Sequence, residues 1–261
     1  MSSTSNQLQR LRRYIIENNI NRYGYTHFRN VELIKNGRLK IVYRATFKNK
    51  VVILKAFKNN DLIINEVINE LKLYHRVDIH QNIIRFYGVT KKEDSSTIPY
   101  MLIFEFAEGG TLKSYLYENS KLLSWNDKIK FSLQIANAVR YLHTKRIANV
   151  ELHSDNIFMH HRNIKLSDYG LSNRLKEQTV KYQNLRFHKQ SDVYSVGLLM
   201  QEIHNNNRIA ENIVNPTTLG REKYIGIYIG CLQNEPNSRP EIQTIISNLK
   251  ALIINYNQNI N

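Results

Sequence analysis

The chain has 261 residues, 42 % hydrophobic and 23 % charged, which matches soluble globular composition and excludes global disorder. Its net charge is +15, and its only cysteine, Cys231, excludes an intramolecular disulfide or a thiolate metal cluster. No run of about 20 apolar residues occurs, which excludes a membrane-spanning helix.

Residues 1–9 are polar and carry no apolar signal core, so the chain reads as intracellular and cytoplasmic. A mitochondrial presequence is the alternative, since residues 1–16 hold Arg10, Arg12, Arg13 and several serines but no acid. The positive charge is lopsided: residues 1–60 carry thirteen Lys/Arg against Glu17 and Glu32. Such a face could favour nucleic acid, anionic lipid or phosphorylated partners. No tight block of like charges occurs, and the chain is rich in Lys, Asn, Ile and Tyr throughout. That bias raises charge without any partner, so nucleic acid is not the expected one.

Residues 1–27 read as an extension. Leu8, Leu11, Tyr14 and Ile15 fall at helical spacing and predict one short amphipathic helix, docked on the domain or on a partner. Residues 31–34, 40–45 and 51–55 are β-branched runs separated by Asn, Gly and Lys, and predict strands. Residues 61–77 switch to helical spacing, with Ile64, Val67, Ile68, Leu71 and Tyr74 on one stripe. Residues 83–89 and 101–106 predict strands again. Helices are then predicted over 111–117 and 125–143, a strand pair around 157–159 and 164–166, and helices over 192–203 and within 222–254. Strands first and helices later describe an α+β plan with two lobes.

Three fragments in fixed order carry the chemistry. Lys55 ends an apolar strand, Leu152-His153-Ser154-Asp155-Asn156-Ile157 follows a long helix, and Asp168-Tyr169-Gly170 follows a strand. Phosphoryl transfer needs such parts: a cation for the phosphates, oxygen ligands for Mg²⁺, and a carboxylate near the acceptor hydroxyl. Each fragment alone is weak, because a strand-ending lysine is usually solvated and Asp-Tyr-Gly is usually a turn. Other landmarks agree in order: Glu70, then His80-Gln81-Asn82, then Ser191-Asp192-Val193, then Arg239-Pro240.

With these residues the chain resembles the eukaryotic protein kinase family, in texture the tyrosine-kinase-like group. The resemblance implies a two-lobed protein-kinase-like α+β domain over residues 28–254. A β-rich N-lobe would span about 28–104, a hinge about 105–108 and a helical C-lobe about 109–254, with 255–261 as a tail. It implies that Lys55 is the phosphate-positioning lysine and Glu70 its ion-pair partner, and that Asn156 and Asp168 hold Mg²⁺. Phe104 would be the gatekeeper, followed by the adenine-facing backbone of Glu105, Phe106 and Ala107. Ile34, Gly37, Val42, Ile53 and Phe158 would surround the nucleotide, and Asp192 would anchor the catalytic loop. ATP with Mg²⁺ is the implied cofactor and a protein the implied partner or substrate.

Several positions depart from the family pattern. Asn149-Val150-Glu151 stands where His-Arg-Asp is expected, so the proposed base Glu151 is one methylene longer. A carboxylate displaced by ~1 Å can cost ~10²-fold in rate. Glu151 is either that base or a polar loop residue under no catalytic demand, and Asp155 is a stand-in. Val150 cannot hold the phosphate that an arginine would. Of three glycine positions, Lys35 and Lys40 occupy the outer two and only Gly37 remains, which alone can be an ordinary hairpin turn. Lysines there offer charge in place of close backbone approach. Ile53 replaces an alanine and crowds the adenine slot. No Ala-Pro-Glu occurs in residues 171–191, which leaves Arg239 without its usual partner. The departures predict a catalytically impaired kinase fold, a pseudokinase with residual ATP binding. The alternative is an active kinase, on Ser/Thr before Tyr, using Glu151.

Overall fold

The computed structural model describes residues 3–37, 40–57, 61–77, 79–92, 100–148, 152–168, 182–206 and 218–258. The chain divides into two compact units, Met1–His80 with Ile84–Phe106, and Gln81–Ile83 with Ala107–Asn261.

The first unit is a six-stranded sheet with helices α1 (Ser3–Glu17) and α2 (Asp61–Arg76). Its strands are β1 (Arg22–Gly24), β2 (Phe28–Asn36), β3 (Lys40–Phe47), β4 (Lys50–Phe57), β5 (Phe86–Lys91) and β6 (Tyr100–Glu105), in the order β1-β5-β6-β4-β3-β2. All pairs are antiparallel except β1 with β5. The β3–β4 hairpin turns through Lys48 and Asn49, both at positive φ (48° and 61°), the twist a two-residue hairpin requires. Alternation along β3 and β4 sends Ile41, Ala45, Val52, Leu54 and Ala56 into a core with Phe28, Met101 and Ile103. The opposite face carries Val42, Ile53, Lys55 and Phe104, by the register Val42↔Lys55 and Ile53↔Phe104.

Helix α2 buries the predicted stripe of Ile64, Val67, Ile68, Leu71 and Tyr74. Tyr74 stacks on Phe86 (5.5 Å) and meets Phe104 edge-on (4.9 Å), which seats α2 on the Lys55 face of the sheet. The predicted N-terminal helix forms as α1 and packs on α2, burying Leu11 and Ile15. Arg10 donates to Asn65 at 3.2 Å beside this contact. The extension also supplies β1, a strand too short to leave a periodic signal. Val89 N–H donates to the Asn21 carbonyl at 2.8 Å there. A side chain on Gly88 (φ 144°) would come within 2.3 Å of that carbonyl, so only glycine admits the approach.

The strand predicted over 83–89 begins instead at Phe86. Asn82 and Ile83 belong to the second unit: Leu166 N–H donates to the Asn82 carbonyl (2.9 Å), and the buried Asn82 amide donates to Ile164 (3.1 Å).

The second unit contains helices α3 (Leu112–Glu118), α4 (Trp125–Thr144), α5 (Tyr182–Asn205), α6 (Thr218–Cys231) and α7 (Ile242–Gln258), with the hairpin β7 (Ile157–His160) and β8 (Asn163–Leu166). Helix α4 is central, against α5, α7 and β8. It starts with a capping box: Ser124 Oγ accepts from Asp127 N–H (3.1 Å), and Asp127 Oδ2 accepts from Ser124 N–H (3.2 Å). Gln134 of α4 fixes the hairpin by donating to Asn163 (2.7 Å) and accepting from Ile164 N–H (2.9 Å). Tyr224 of α6 is fully buried; its hydroxyl meets Ser132 Oγ at 2.6 Å and donates to the Met200 carbonyl at 3.1 Å. Helix α5 begins ten residues before the predicted 192, over a polar stretch without apolar periodicity.

Candidate functional site

The candidate residues fall in both units, and each group is built locally. In the first unit, Lys55 lies opposite Val42 and Leu102, half-buried, with its ammonium 4.9 Å from the centre of the Phe104 ring. Such a cation–π contact is worth ~0.5–2 kcal/mol and orients the side chain over the sheet face. Phe104 is fixed by Tyr74 and Phe86 and is 2 % exposed. Val42 and Ile53 are half-buried on the same face, an apolar surface of the kind a purine ring stacks on.

Glu70 is buried on α2, 3 % exposed, and its Oε1 lies 3.3 Å from the ammonium of Lys40. Its Oε2 accepts from the Tyr74 hydroxyl at 3.5 Å. Lys40 stands two residues before Val42, hence on the Lys55 face, and its ammonium lies 5.7 Å from the centre of the Phe57 ring. The family's glycine pattern puts Lys40 at a glycine position, with its charge offered in place of close backbone approach. The structure instead turns that charge onto Glu70, because the face Lys40 occupies is the one α2 covers.

Gly37 closes the β2–β3 hairpin: its N–H donates to the Lys40 carbonyl at 2.9 Å, and a side chain there would approach that oxygen to 3.0 Å. It thus serves as a hairpin glycine. Ile34 on β2 is exposed. Glu105 is tied to β5, its N–H donating to the Arg85 carbonyl (2.9 Å) and its carboxylate accepting from Arg85 N–H (3.1 Å).

In the second unit, Ala107 is buried and the chain after it runs beside β7. Gly109 N–H donates to the Met159 carbonyl and Met159 N–H to the Gly110 carbonyl, both at 2.9 Å, and Thr111 bridges Phe158. Asn156 and Asp168 flank the open end of the β7–β8 hairpin, where Ile157 pairs with Leu166 and Ser167 N–H donates to the Asn156 carbonyl (2.9 Å). Asp168 adopts φ 52°, in the left-handed region that few non-glycine residues enter and aspartate enters more readily than most. An amide oxygen and a carboxylate at one hairpin end are hard donors, the set Mg²⁺ takes. These residues therefore fit the ion chemically.

Asp155 is exposed and pairs with Lys113 at 3.4 Å. Buried Asp192 meets His143 Nε2 at 2.8 Å. Arg239 donates to the carbonyls of Gln233 (2.8 Å), Gln190 (2.9 Å) and Asn234 (3.2 Å), and its guanidinium lies 4.9 Å from the Tyr194 ring. Backbone oxygens thus satisfy the arginine expected to lack its usual partner. Glu151, with Asn149 and Val150, lies outside the described residues, as do Tyr169, Gly170 and residues 171–181.

The profile of the protein tyrosine and serine/threonine kinases matches residues 28–249. Wall-associated receptor kinase-like 21 of Arabidopsis thaliana is 29 % identical over 86 % of the chain and 41 % of its own length. Spermatocyte protein spe-8 of Caenorhabditis elegans is 31 % identical over 66 % of the chain and 37 % of its own length. The RGS domain-containing serine/threonine-protein kinase A of Dictyostelium discoideum is 24 % identical over 92 % of the chain and 24 % of its own length. The chain thus spans less than half the length of each of these three relatives. Among the described residues no helix is long and apolar enough to cross a membrane.

Proposed function

The chain belongs to the protein tyrosine and serine/threonine kinase family, and from that premise we propose that it acts in signalling as a pseudokinase that binds Mg-ATP but transfers phosphate poorly. The observation that carries this reading is the 3.3 Å ion pair between Lys40 and Glu70. The family uses a carboxylate at the Glu70 position to hold a lysine at the Lys55 position against the phosphates. A loop-strand lysine engaged on the same carboxylate competes for that work. Glu151, Val150 and Lys35 weaken the remaining machinery in the same direction.

Nucleotide binding draws on what is kept. Lys55 would meet the phosphates, Asn156 and Asp168 would hold Mg²⁺, and Ile34, Gly37, Val42, Ile53 and Phe158 would enclose the base beside the backbone of Glu105 and Ala107. The bound ion supplies charge neutralisation at the phosphates. The partner would be a protein, recognised by the fold whether or not it is phosphorylated.

A thermal melt with and without Mg-ATP tests the binding. Ligand at 100 times its dissociation constant adds ~2.7 kcal/mol of stability, so a clear upward shift is expected, abolished by Lys55→Ala. No shift at millimolar ATP would overturn nucleotide binding. Labelled phosphate incorporated into a generic protein substrate should stay at the level of Lys55→Ala; robust transfer above it would overturn the impairment.

That second outcome would favour an active kinase with Glu151 as base, acting on serine/threonine as the Dictyostelium relative is named for. The observation on its side is Asp168 held at φ 52° beside Asn156. Glu151→Asp would then raise the rate, since it restores the shorter side chain.

A further inference from the structure

The far end of the β7–β8 hairpin carries a separate cluster. His160 ends β7, and His161 and Arg162 form a two-residue turn, both in the left-handed region (φ 48° and 57°). That turn brings both imidazoles to one carboxylate, Glu108. His160 Nδ1 bonds Glu108 Oε2, His161 Nδ1 lies 2.9 Å from Oε1, and His161 N–H donates to the same oxygen at 2.8 Å. The two ring centres are 4.2 Å apart.

The backbone presets this convergence. The paired hydrogen bonds of Gly109 and Gly110 with Met159, each 2.9 Å, hold Glu108 beside His160. A side chain on Gly109 would come within 2.8 Å of Met159 Cβ, so the approach requires glycine. The adjacent cation is kept out of the cluster, because Arg162 is held by Asp127 at 3.1 and 3.2 Å.

We propose that Glu108, His160 and His161 form a three-ligand site for a divalent transition metal ion, Zn²⁺ foremost. One donor atom from each residue lies within 4.8 Å of the others. Zn²⁺ binds imidazole nitrogen and carboxylate oxygen at about 2.0–2.2 Å, which sets tetrahedral donors roughly 3.4 Å apart. The separations in the structure, 2.9 Å from His161 Nδ1 to Glu108 Oε1 and none above 4.8 Å, are of that order. Two imidazoles select against Mg²⁺ and Ca²⁺, which take oxygen donors. The partly exposed side chains leave a fourth position for water. The site lies at the opposite end of β7 from Asn156 and Asp168 and stands independently of the phosphotransfer reading.

Isothermal titration of the full chain with ZnCl₂, after stripping by chelator, tests this. One equivalent should bind at micromolar affinity or tighter. His160→Ala, Glu108→Gln and His161→Asn should each weaken it at least about tenfold, the low end of what even an outer partner of a metal site costs. Asparagine at 161 tolerates the left-handed backbone, so that variant keeps the turn. Melting curves in chelator should match the parent for all three, which separates ligand loss from unfolding. Excess Mg²⁺ should not displace Zn²⁺. Failure to bind Zn²⁺ below millimolar concentration, unchanged affinity in the variants, or displacement by Mg²⁺ would each overturn the proposal.

Discussion

Lys40 and Glu70 form an ion pair across 3.3 Å from which solvent is largely excluded, the carboxylate being 3 % exposed and the lysine side chain 15 %. Lys40 enters at the start of β3 and Glu70 midway along α2, so the pair ties the sheet to the helix. Removing one member of such a pair costs ~3–5 kcal/mol, whereas replacing both by apolar groups is often close to neutral. Lys40→Met and Glu70→Leu should therefore each destabilise strongly, and the double variant should recover much of the loss. Guanidinium denaturation of the four proteins gives the coupling. Additive losses would show that the two charges act independently.

Docking of α1 makes a second expectation. Leu11 and Ile15 are each 2 % exposed, and the stripe continues through half-buried Leu8 and Tyr14. Truncating a buried Leu or Ile to Ala costs ~2–5 kcal/mol. Leu11→Ala and Ile15→Ala should lower the unfolding midpoint, whereas Ile16→Ala, an exposed neighbour, should not. Equal effects at 15 and 16 would contradict the docking.

The capping box of α4 makes a pH-dependent expectation. Burial raises the Asp127 carboxyl, but hydrogen bonds from Ser124 and Arg162 outweigh it and set the group below its ordinary value of 3.8. A carboxyl depressed in the folded state stabilises above its unfolded value, and the gain is lost as pH falls through the folded one. Asp127→Asn should thus cost about 1 kcal/mol near neutrality; the difference from the parent should begin to shrink as pH falls through 3.8 and vanish only below the lower folded-state value. Arg162→Ala should cost less, because that side chain is mostly exposed. Denaturation at a series of pH values measures both.

What the sequence revealed and what it hid follow from how local each signal is. Strands β3 and β4 announce themselves through β-branched runs, and α2 and α4 through apolar stripes, so the α+β plan, Lys55 on a strand, Glu70 on a helix, and Asn156 and Asp168 beside a strand pair were readable. Sites assembled across distance were not. Glu108 and His160 are 52 residues apart, and they meet because the chain of Gly109 and Gly110 pairs with Met159. The destination of the Lys40 charge depends on which sheet face α2 covers; the register Val42↔Lys55 determines this, but no spacing rule reports it. The three residues of β1 carry no period, and Ile83 sits in an apolar run whose first part serves a different unit from the rest.

The single thiol offers a probe of the α5–α6 contact. Cys231 is fully buried, and burial pushes its thiol up to about 12. Thiolate is the reactive form, so at pH 8 the native protein should label with a disulfide reagent only through unfolding. Gly197 makes that burial possible: a side chain there would come within 2.7 Å of Cys231 Cβ and 3.1 Å of Leu232. The obstructing atom is fixed to backbone, so Gly197→Ala must separate the helices, at a cost of ~1–3 kcal/mol typical of overpacking. Labelling kinetics across a denaturant series should show the parent reacting slowly, at a rate that tracks the unfolded fraction. Gly197→Ala should react about 5- to 150-fold faster, which is that cost expressed as a population ratio. Rapid labelling of the native parent would place Cys231 outside the core, and an unchanged rate in Gly197→Ala would refute the close packing of α5 on α6.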